Sequence, residues 1–338
     1  MAQVLVLGGY GAVGRHAART LVDAGVGVVV AGRRRGPAEL LANELGDAEA
    51  AVVDAADPAA VSAAAERVDA VVDCSGRESV DLAEAVLTGG AHLVDISANY
   101  AYQQAVTQRM NAAGEITHEV LFSVGLTPGL TNLLAADLAP DAPGAPIELL
   151  AVLGAGEEHG RAARDWSYGL FGRRFADTTG RRPDVRNFTG RQRRSIPGIG
   201  PCWVYRVDIS DQHVLTADLG RPVVTRLGMD SRLMTGLMAV LGRGPWAARV
   251  SRALEPVVPW SWLGSDRWVM AAGRPGQIER WAAGRHQSRG TGIVAGLATL
   301  ALLDAPGRGP THLHRRTTLD ALVAQLKRYD IDVVAPSA

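Results

Sequence analysis

The sequence predicts an α/β chain: a doubly wound parallel sheet at the N-terminus, then a second α+β domain built on a mixed sheet. Three observations lead there. Short β-branched runs alternate with helix-like segments through the first 125 residues, a glycine-rich turn follows the first run directly, and the alternation stops beyond a proline-rich stretch near residue 140. Continuous apolar runs of this length fit strands covered on both faces, as in parallel sheets. Strand–helix–strand repeats close through right-handed crossovers into such a sheet.

Strands are expected over 4–7, 28–31, 51–53, 70–73, 92–96 and 120–124. The first helix, 11–24, places Val13, Ala17, Leu21 and Ala24 on one face. Asp57-Pro58 is an N-cap followed by proline at the first helical position, opening a helix over 59–67. Helices over 78–88 and 100–113 stop at Gly89-Gly90 and at Gly114, since glycine accepts the left-handed turn that ends a helix. The run 139–146 holds three prolines and a glycine and reads as a linker or domain edge. Beyond it, strands are expected at 147–153, 203–209, 223–227 and 268–272, and helices at 231–241, 245–254 and 292–302. All seven tryptophans fall in this half. The tail, 317–331, reads as an amphipathic helix (Leu319, Leu322 and Leu326 on one face) and a short strand, folding back on the first domain. The expected division is 1–125 for the nucleotide-binding domain, 126–310 for the substrate and dimerisation domain, and 311–338 for the returning segment.

Composition narrows the function. The chain has 338 residues, enough for two domains. Its 35 basic and 35 acidic residues cancel, so no global field recruits nucleic acid or an anionic membrane. Two cysteines, Cys74 and Cys202, exclude a disulfide-built scaffold. The longest apolar stretch, 293–303, falls short of the ~18 residues a membrane span needs. With no signal peptide expected at the start, a cytoplasmic protein acting on a small molecule is anticipated. Only Lys327 among the basic residues is lysine, so a single arginine carries little information by itself.

The strongest motif is Gly8-Gly9-Tyr10-Gly11-Ala12-Val13-Gly14, directly after the first strand and opening the first helix. Glycines tighten the turn, let backbone approach a pyrophosphate and let the helix pack close to the sheet. The helix N-terminus then offers free N–H groups to the phosphates. This is a Rossmann dinucleotide-binding turn in its required context. The second strand ends Gly32-Arg33-Arg34-Arg35 with no acid to hold a ribose 2′-hydroxyl. Arginine suits a 2′-phosphate, with Arg33 first and Arg34 second, so NADP(H) is favoured over NAD(H). Other strand ends should line the same crevice: Asp54 and Ala55 after the third, Cys74, Ser75 and Gly76 after the fourth, and Asp95 and Ser97 at the fifth. Asp95 is either a catalytic group or a turn cap.

Three segments, Gly8-Gly-Tyr-Gly-Ala-Val-Gly14, His92-Leu-Val-Asp-Ile-Ser97 and Gly125-Leu-Thr-Pro-Gly-Leu-Thr-Asn132, resemble those of saccharopine dehydrogenase-type reductases. The helix start Gly290-Thr-Gly-Ile-Val-Ala-Gly296 also resembles that family's pattern. The resemblance implies a Rossmann domain, an α+β substrate and dimerisation domain, a homodimer, and NADP-dependent chemistry at a carbon–nitrogen bond. An enoyl-type C=C reductase on the same fold and a non-catalytic NADP-binding sensor are the alternatives.

After the strand 147–153 come His159 and Tyr168, each placed to donate a proton as hydride arrives, or else part of an exposed polar loop. The segment 173–194 holds eight arginines against Asp177 and Asp184. It reads as a solvated loop, or as a cover attracting a carboxylate-bearing substrate. His312-Leu-His314 has metal-binding spacing without a third ligand nearby, so no metal is expected.

Overall fold

In a computed structural model, residues 2–114, 117–157, 161–242, 244 and 264–335 are described. Two compact units emerge: Met1–Gly129 with Ser288–Gln325, and Leu130–Gln287 with Leu326–Ala338.

The first unit begins with β1 (Gln3–Leu7), α1 (Gly14–Asp23), β2 (Gly27–Gly32), α2 (Arg35–Leu45), β3 (Ala48–Val52), α3 (Pro58–Ala65), β4 (Ala70–Asp73), α4 (Val80–Thr88), β5 (His92–Asp95), α5 (Tyr100–Ala113) and β6 (Glu119–Phe122). The Asp57 cap is the one the sequence announces. Asp57 accepts from the N–H groups of Ala59 (3.0 Å) and Ala60 (3.2 Å) to start α3. Ser79 and Asn99 cap α4 and α5 in the same way, satisfying donors that lack an intrahelical partner. Helix α2 was not anticipated, although Ala38, Leu41, Ala42 and Leu45 form its buried stripe at helical spacing. The arginines and Pro37 at its start mask that period.

The second unit runs through α6 (Leu130–Leu138), β7 (Ile147–Leu153), α7 (Arg161–Gly169), β8 (Arg174–Ala176), β9 (Asp184–Arg186), β10 (Thr189–Ile196), β11 (Gly200–Arg206), α8 (Ser210–Leu219), β12 (Val223–Met229), α9 (Arg232–Leu241), β13 (Arg267–Gly273) and β14 (Arg280–Arg285). The chain continues with α10 (Gln287–Asp304), β15 (Gly309–His312), α11 (Leu313–Arg316), α12 (Leu319–Arg328) and β16 (Asp332–Val334).

The first sheet has the order β15-β6-β5-β4-β1-β2-β3, with every pairing parallel. Strands β1 to β6 take the 3-2-1-4-5-6 order of dinucleotide-binding sheets. Leu5, Leu7, Val71, Leu93 and Phe122 form the centre of its core on one face. Helix α10 lies close on α1: a Cβ at Gly292 would stand 2.5 Å from the Val13 carbonyl oxygen, and one at Gly296 would stand 2.7 Å from Thr20 Cβ.

The second sheet is mixed, β10-β11-β12-β7-β13-β14-β16, with only β7 and β12 parallel. Buried within it, Glu148 is gripped by Arg194 (Nε, 2.7 Å) and Arg226 (Nε, 2.6 Å). Burial opposes the charge, but the two guanidinium groups hold the carboxyl below its ordinary range.

Four expectations change here. The run 139–146 is inside the second unit, fastened by Arg280 to Asp137 (2.6 Å) and Asp141 and by Arg221 to the carbonyl of Ala139 (2.9 Å). Residues 288–310 fall in the first unit rather than the second, because α10 carries the close glycine contacts with α1. The tail divides: α12 lies across the division at residue 325, and β16 pairs with β14 as the last strand of the second sheet, not with the first domain. The arginine-rich segment is not a loop. It forms the β8–β9 hairpin and the edge strand β10, whose exposed residues include Arg191 and Arg193. Charge on an edge strand discourages pairing with another sheet. The expected helix over 245–254 lies outside the described residues, as do Trp246, Trp260 and Trp262. No described helix is long and apolar enough to cross a membrane.

Candidate active site at the carboxyl edge of the parallel sheet

Parallel register brings the candidate residues together. Leu7 pairs with Ala31 on one side and Asp73 on the other, and Asp73 pairs with Asp95. The segments that follow these strands (Gly8–Gly14, Gly32–Arg34, Asp54–Ala55, Cys74–Gly76 and Asp95–Ser97) therefore leave five adjacent strands from one edge. Ligands bind at that edge in open α/β sheets.

The glycine turn is as tight as its sequence implies. Gly8 has φ +74°, and a Cβ there would stand 2.7 Å from the carbonyl oxygen of Cys74. At Gly14 a Cβ would stand 2.4 Å from the carbonyl oxygen of Gly8. Both contacts are with backbone, so any side chain displaces the turn. The N-cap of α1, Val13, offers no side chain to its own helix. Among the described residues, the N–H groups of Ala12, Val13 and Gly14 find no acceptor. Free amides with a positive helix end are a ready anion site. The cradle that side chains would fill and these unmet donors fit a dinucleotide pyrophosphate.

At the end of β2 the three arginines differ. Arg35 pairs with Glu39 at 3.5 Å along α2. Arg34 lies over the Tyr10 ring, 5.6 Å from its centroid, and its N–H donates to the Tyr10 hydroxyl at 3.1 Å. Arg33 is exposed and makes no ion pair among the described residues.

An aspartate two residues beyond β3, and one at the last residue of β4 and of β5, accepts from the N–H two residues on: Asp54 from Ala56 (3.0 Å), Asp73 from Ser75 (2.8 Å), Asp95 from Ser97 (2.7 Å). Such turns let a short side chain end a strand. Asp73 and Asp95 are 4% and 2% exposed and adjacent in register. Burial first, then the neighbouring Asp95, pushes the Asp73 carboxyl up to about 7. Burial raises Asp95 as well, against the hydrogen bonds from Ser97 and from the Tyr102 hydroxyl (2.8 Å). Asp95 is thus engaged inside the fold, with both oxygens occupied. Burial, with Asp73 and Asp95 beside it, pushes the Cys74 thiol up, which makes it a poor nucleophile. The Ser97 hydroxyl is buried at the same edge, beside the Asp95 carboxyl.

Of the other candidates, His159 lies outside the described residues. Tyr168 is on α7 of the second unit, its ring 5.9 Å from that of Phe171. His312 accepts from or donates to Ser123 Oγ at 2.9 Å. No metal-holding group of three or more His, Cys, Asp or Glu occurs among the described residues. The sequence reading missed Asp73 and Tyr102. The repeated pattern Asp73-Cys-Ser75 and Asp95-Ile-Ser97 was the available signal for the first.

Residues 4–117 match the family model of the saccharopine dehydrogenase NADP binding domain. Over 99% of this chain and 100% of the other, the fold is similar to the apo histidine-tagged saccharopine dehydrogenase (L-Glu forming) from Saccharomyces cerevisiae, with a TM-score of 0.61 and 15% identity. A short-chain type dehydrogenase/reductase from Mycobacterium ulcerans is similar over 33% of this chain and 61% of its own, with a TM-score of 0.28 and 22% identity. No curated protein matches the chain in sequence. The resemblance read from the motifs is borne out, as are the fold class and NADP(H) as cofactor. The family match over residues 4–117 supports an NADP-dependent oxidoreductase.

Proposed function

We propose, from the match of residues 4–117 to the saccharopine dehydrogenase NADP binding domain, a reductase that uses NADPH to reduce a C=N bond in a small, polar, amino-acid-like substrate. The observation that carries the cofactor half is the glycine cradle beside a strand end bearing Arg33 and Arg34 and no acid. The whole-chain likeness in fold to a saccharopine dehydrogenase supports the carbon–nitrogen half. When bound, NADPH supplies the hydride.

The residues of the chain do the rest. Ala12, Val13 and Gly14 present amides to the pyrophosphate, and Arg33 and Arg34 hold the 2′-phosphate. Cys74, Ser75 and Gly76 leave room for the nicotinamide half, with Ser97 offering a hydroxyl. Asp95 acts through Ser97 and Tyr102 rather than by contact with substrate. A protonated imine already carries positive charge at the reacting carbon, so hydride arrival needs little help from an acid.

The test is NADPH consumption with mixtures of amines and 2-keto acids beside enoyl thioesters. Turnover with the former supports imine reduction. Turnover confined to the thioesters refutes it, and none with either leaves a nucleotide-binding protein. Arg33→Ala should narrow the preference for NADPH over NADH about tenfold or more, the loss of a charge-assisted contact. Equal affinity of the parent for both cofactors would overturn the arginine assignment.

A further inference from the structure

We propose that Tyr10 is a positioning residue for cofactor choice: from inside the phosphate-binding turn it orients Arg34 toward the 2′-phosphate. This rests on the assignment of Arg33 and Arg34 to that phosphate. Tyr10 holds Arg34 by two different interactions. Its hydroxyl accepts the Arg34 backbone N–H at 3.1 Å, fixing the chain where β2 gives way to α2. Its ring lies under the guanidinium, 5.6 Å from centroid to the central carbon. A cation over an aromatic face keeps its planar edge of N–H donors free for an anion.

Gly32 makes this arrangement possible. A Cβ at that position would stand 2.5 Å from the Tyr10 ring, so the ring occupies the space a side chain would take. Gly32 has no positive φ, hence its glycine is needed for room and not for conformation. A long flexible arginine normally loses much rotamer freedom when it grips a ligand. Arg34 has part of that freedom removed in advance, and its donors need no acidic partner to hold them. The turn that meets the pyrophosphate and the strand end that meets the 2′-phosphate are thereby tied through one side chain.

The experiment titrates the full-length protein with NADPH and with NADH. The variants are Tyr10→Leu, Tyr10→Phe, Gly32→Ala, Arg33→Ala, Arg34→Ala and the double Tyr10→Leu/Arg34→Ala. Tyr10→Leu and Gly32→Ala should each weaken NADPH roughly 2- to 5-fold, the range for a cation–π hold lost at an exposed site, and leave NADH unchanged. Tyr10→Phe keeps the ring and its packing, so it should lose less than Tyr10→Leu. The double variant should bind NADPH as Arg34→Ala does, because the two residues act as one unit.

Equal losses of NADPH and NADH in Tyr10→Leu would make Tyr10 a mere shape element and overturn the proposal. Additive losses in the double variant would overturn it too. If Arg33→Ala lowers the preference for NADPH and Arg34→Ala does not, the phosphate assignment stands and Tyr10 has no part in it. If neither arginine matters, the phosphate assignment itself falls.

Discussion

Replacing Asp73 with asparagine should stabilise the protein, increasingly so as pH rises. Asp73 and Asp95 end neighbouring strands as paired residues, and both are almost fully buried. The Asp73 carboxyl is pushed from 3.8 up to about 7 by burial and by Asp95. Between about pH 4 and about pH 7 the folded chain therefore holds a proton that the unfolded chain has released. That contribution to stability is complete at the acid end of the window and is lost as pH rises through it. At 1.36 kcal/mol per unit, about three units correspond to an upper bound of about 4 kcal/mol. Asparagine keeps an oxygen for the Ser75 amide, now 2.8 Å from Asp73 Oδ1, and never ionises. Urea unfolding of parent and variant at several pH values between about 5 and about 9 gives the difference directly, other titrations cancelling. The advantage of Asp73→Asn should grow toward about pH 7 and then level. A variant less stable than the parent at about pH 8, or a difference indifferent to pH, would refute the raised carboxyl of Asp73.

Three further outcomes are expected. Gly14→Ala should abolish nucleotide binding, since its methyl would stand 2.4 Å from the Gly8 carbonyl oxygen; an unchanged dissociation constant by titration would show the turn to be idle. Gly292→Leu should lower the midpoint of thermal unfolding by forcing α10 off α1, an overpacking that costs about 1–3 kcal/mol or more. Glu148→Gln should destabilise by about 3–5 kcal/mol in denaturant unfolding, because it leaves the buried Arg226 and the half-buried Arg194 without a counter-charge.

The first unit was legible because its signals are local. Strand runs, the Asp57-Pro58 cap and the terminal glycines act within a few residues, and the structure repeats them. The glycine turn was legible for the same reason. What escaped depends on distant partners. That Asp73 faces Asp95 follows from β4 lying beside β5, and Tyr102 reaches back from α5 to Asp95. In the second unit, arginine defeated the pattern. Strand β10 reads Thr-Gly-Arg-Gln-Arg-Arg-Ser-Ile, with almost no apolar alternation, yet it pairs along β11. Its inward arginine, Arg194, is accepted because Glu148 waits on β7, 46 residues away in sequence. The domain boundary escaped likewise. Proline marks irregular chain, but irregular chain is an edge only where little crosses it, and Arg280 crosses 139–141 from far along the sequence.

Counting charges therefore says little in this chain; the useful quantity is which guanidinium groups are already spent. Arg226 and Arg280 are buried, and Arg194 half-buried, against acids, so their donors are committed to the fold. Arg174 is matched to Asp184, and Arg191 lies over Trp203, 4.5 Å from its ring centroid. Within the run 33–35 the same sorting holds over three consecutive positions: Arg35 is paired along its helix, Arg34 is held by Tyr10 with its edge uncommitted, and Arg33 has no acid partner among the described residues. An anion arriving at the end of β2 thus meets two arginines whose donors are unspent, one of them pre-oriented, beside a turn whose amides are also unmet. Three identical letters in sequence become three different chemical groups once their neighbours are known: one has no acid partner among the described residues, one is stacked on a ring, and one is in a loose, exposed ion pair along its helix.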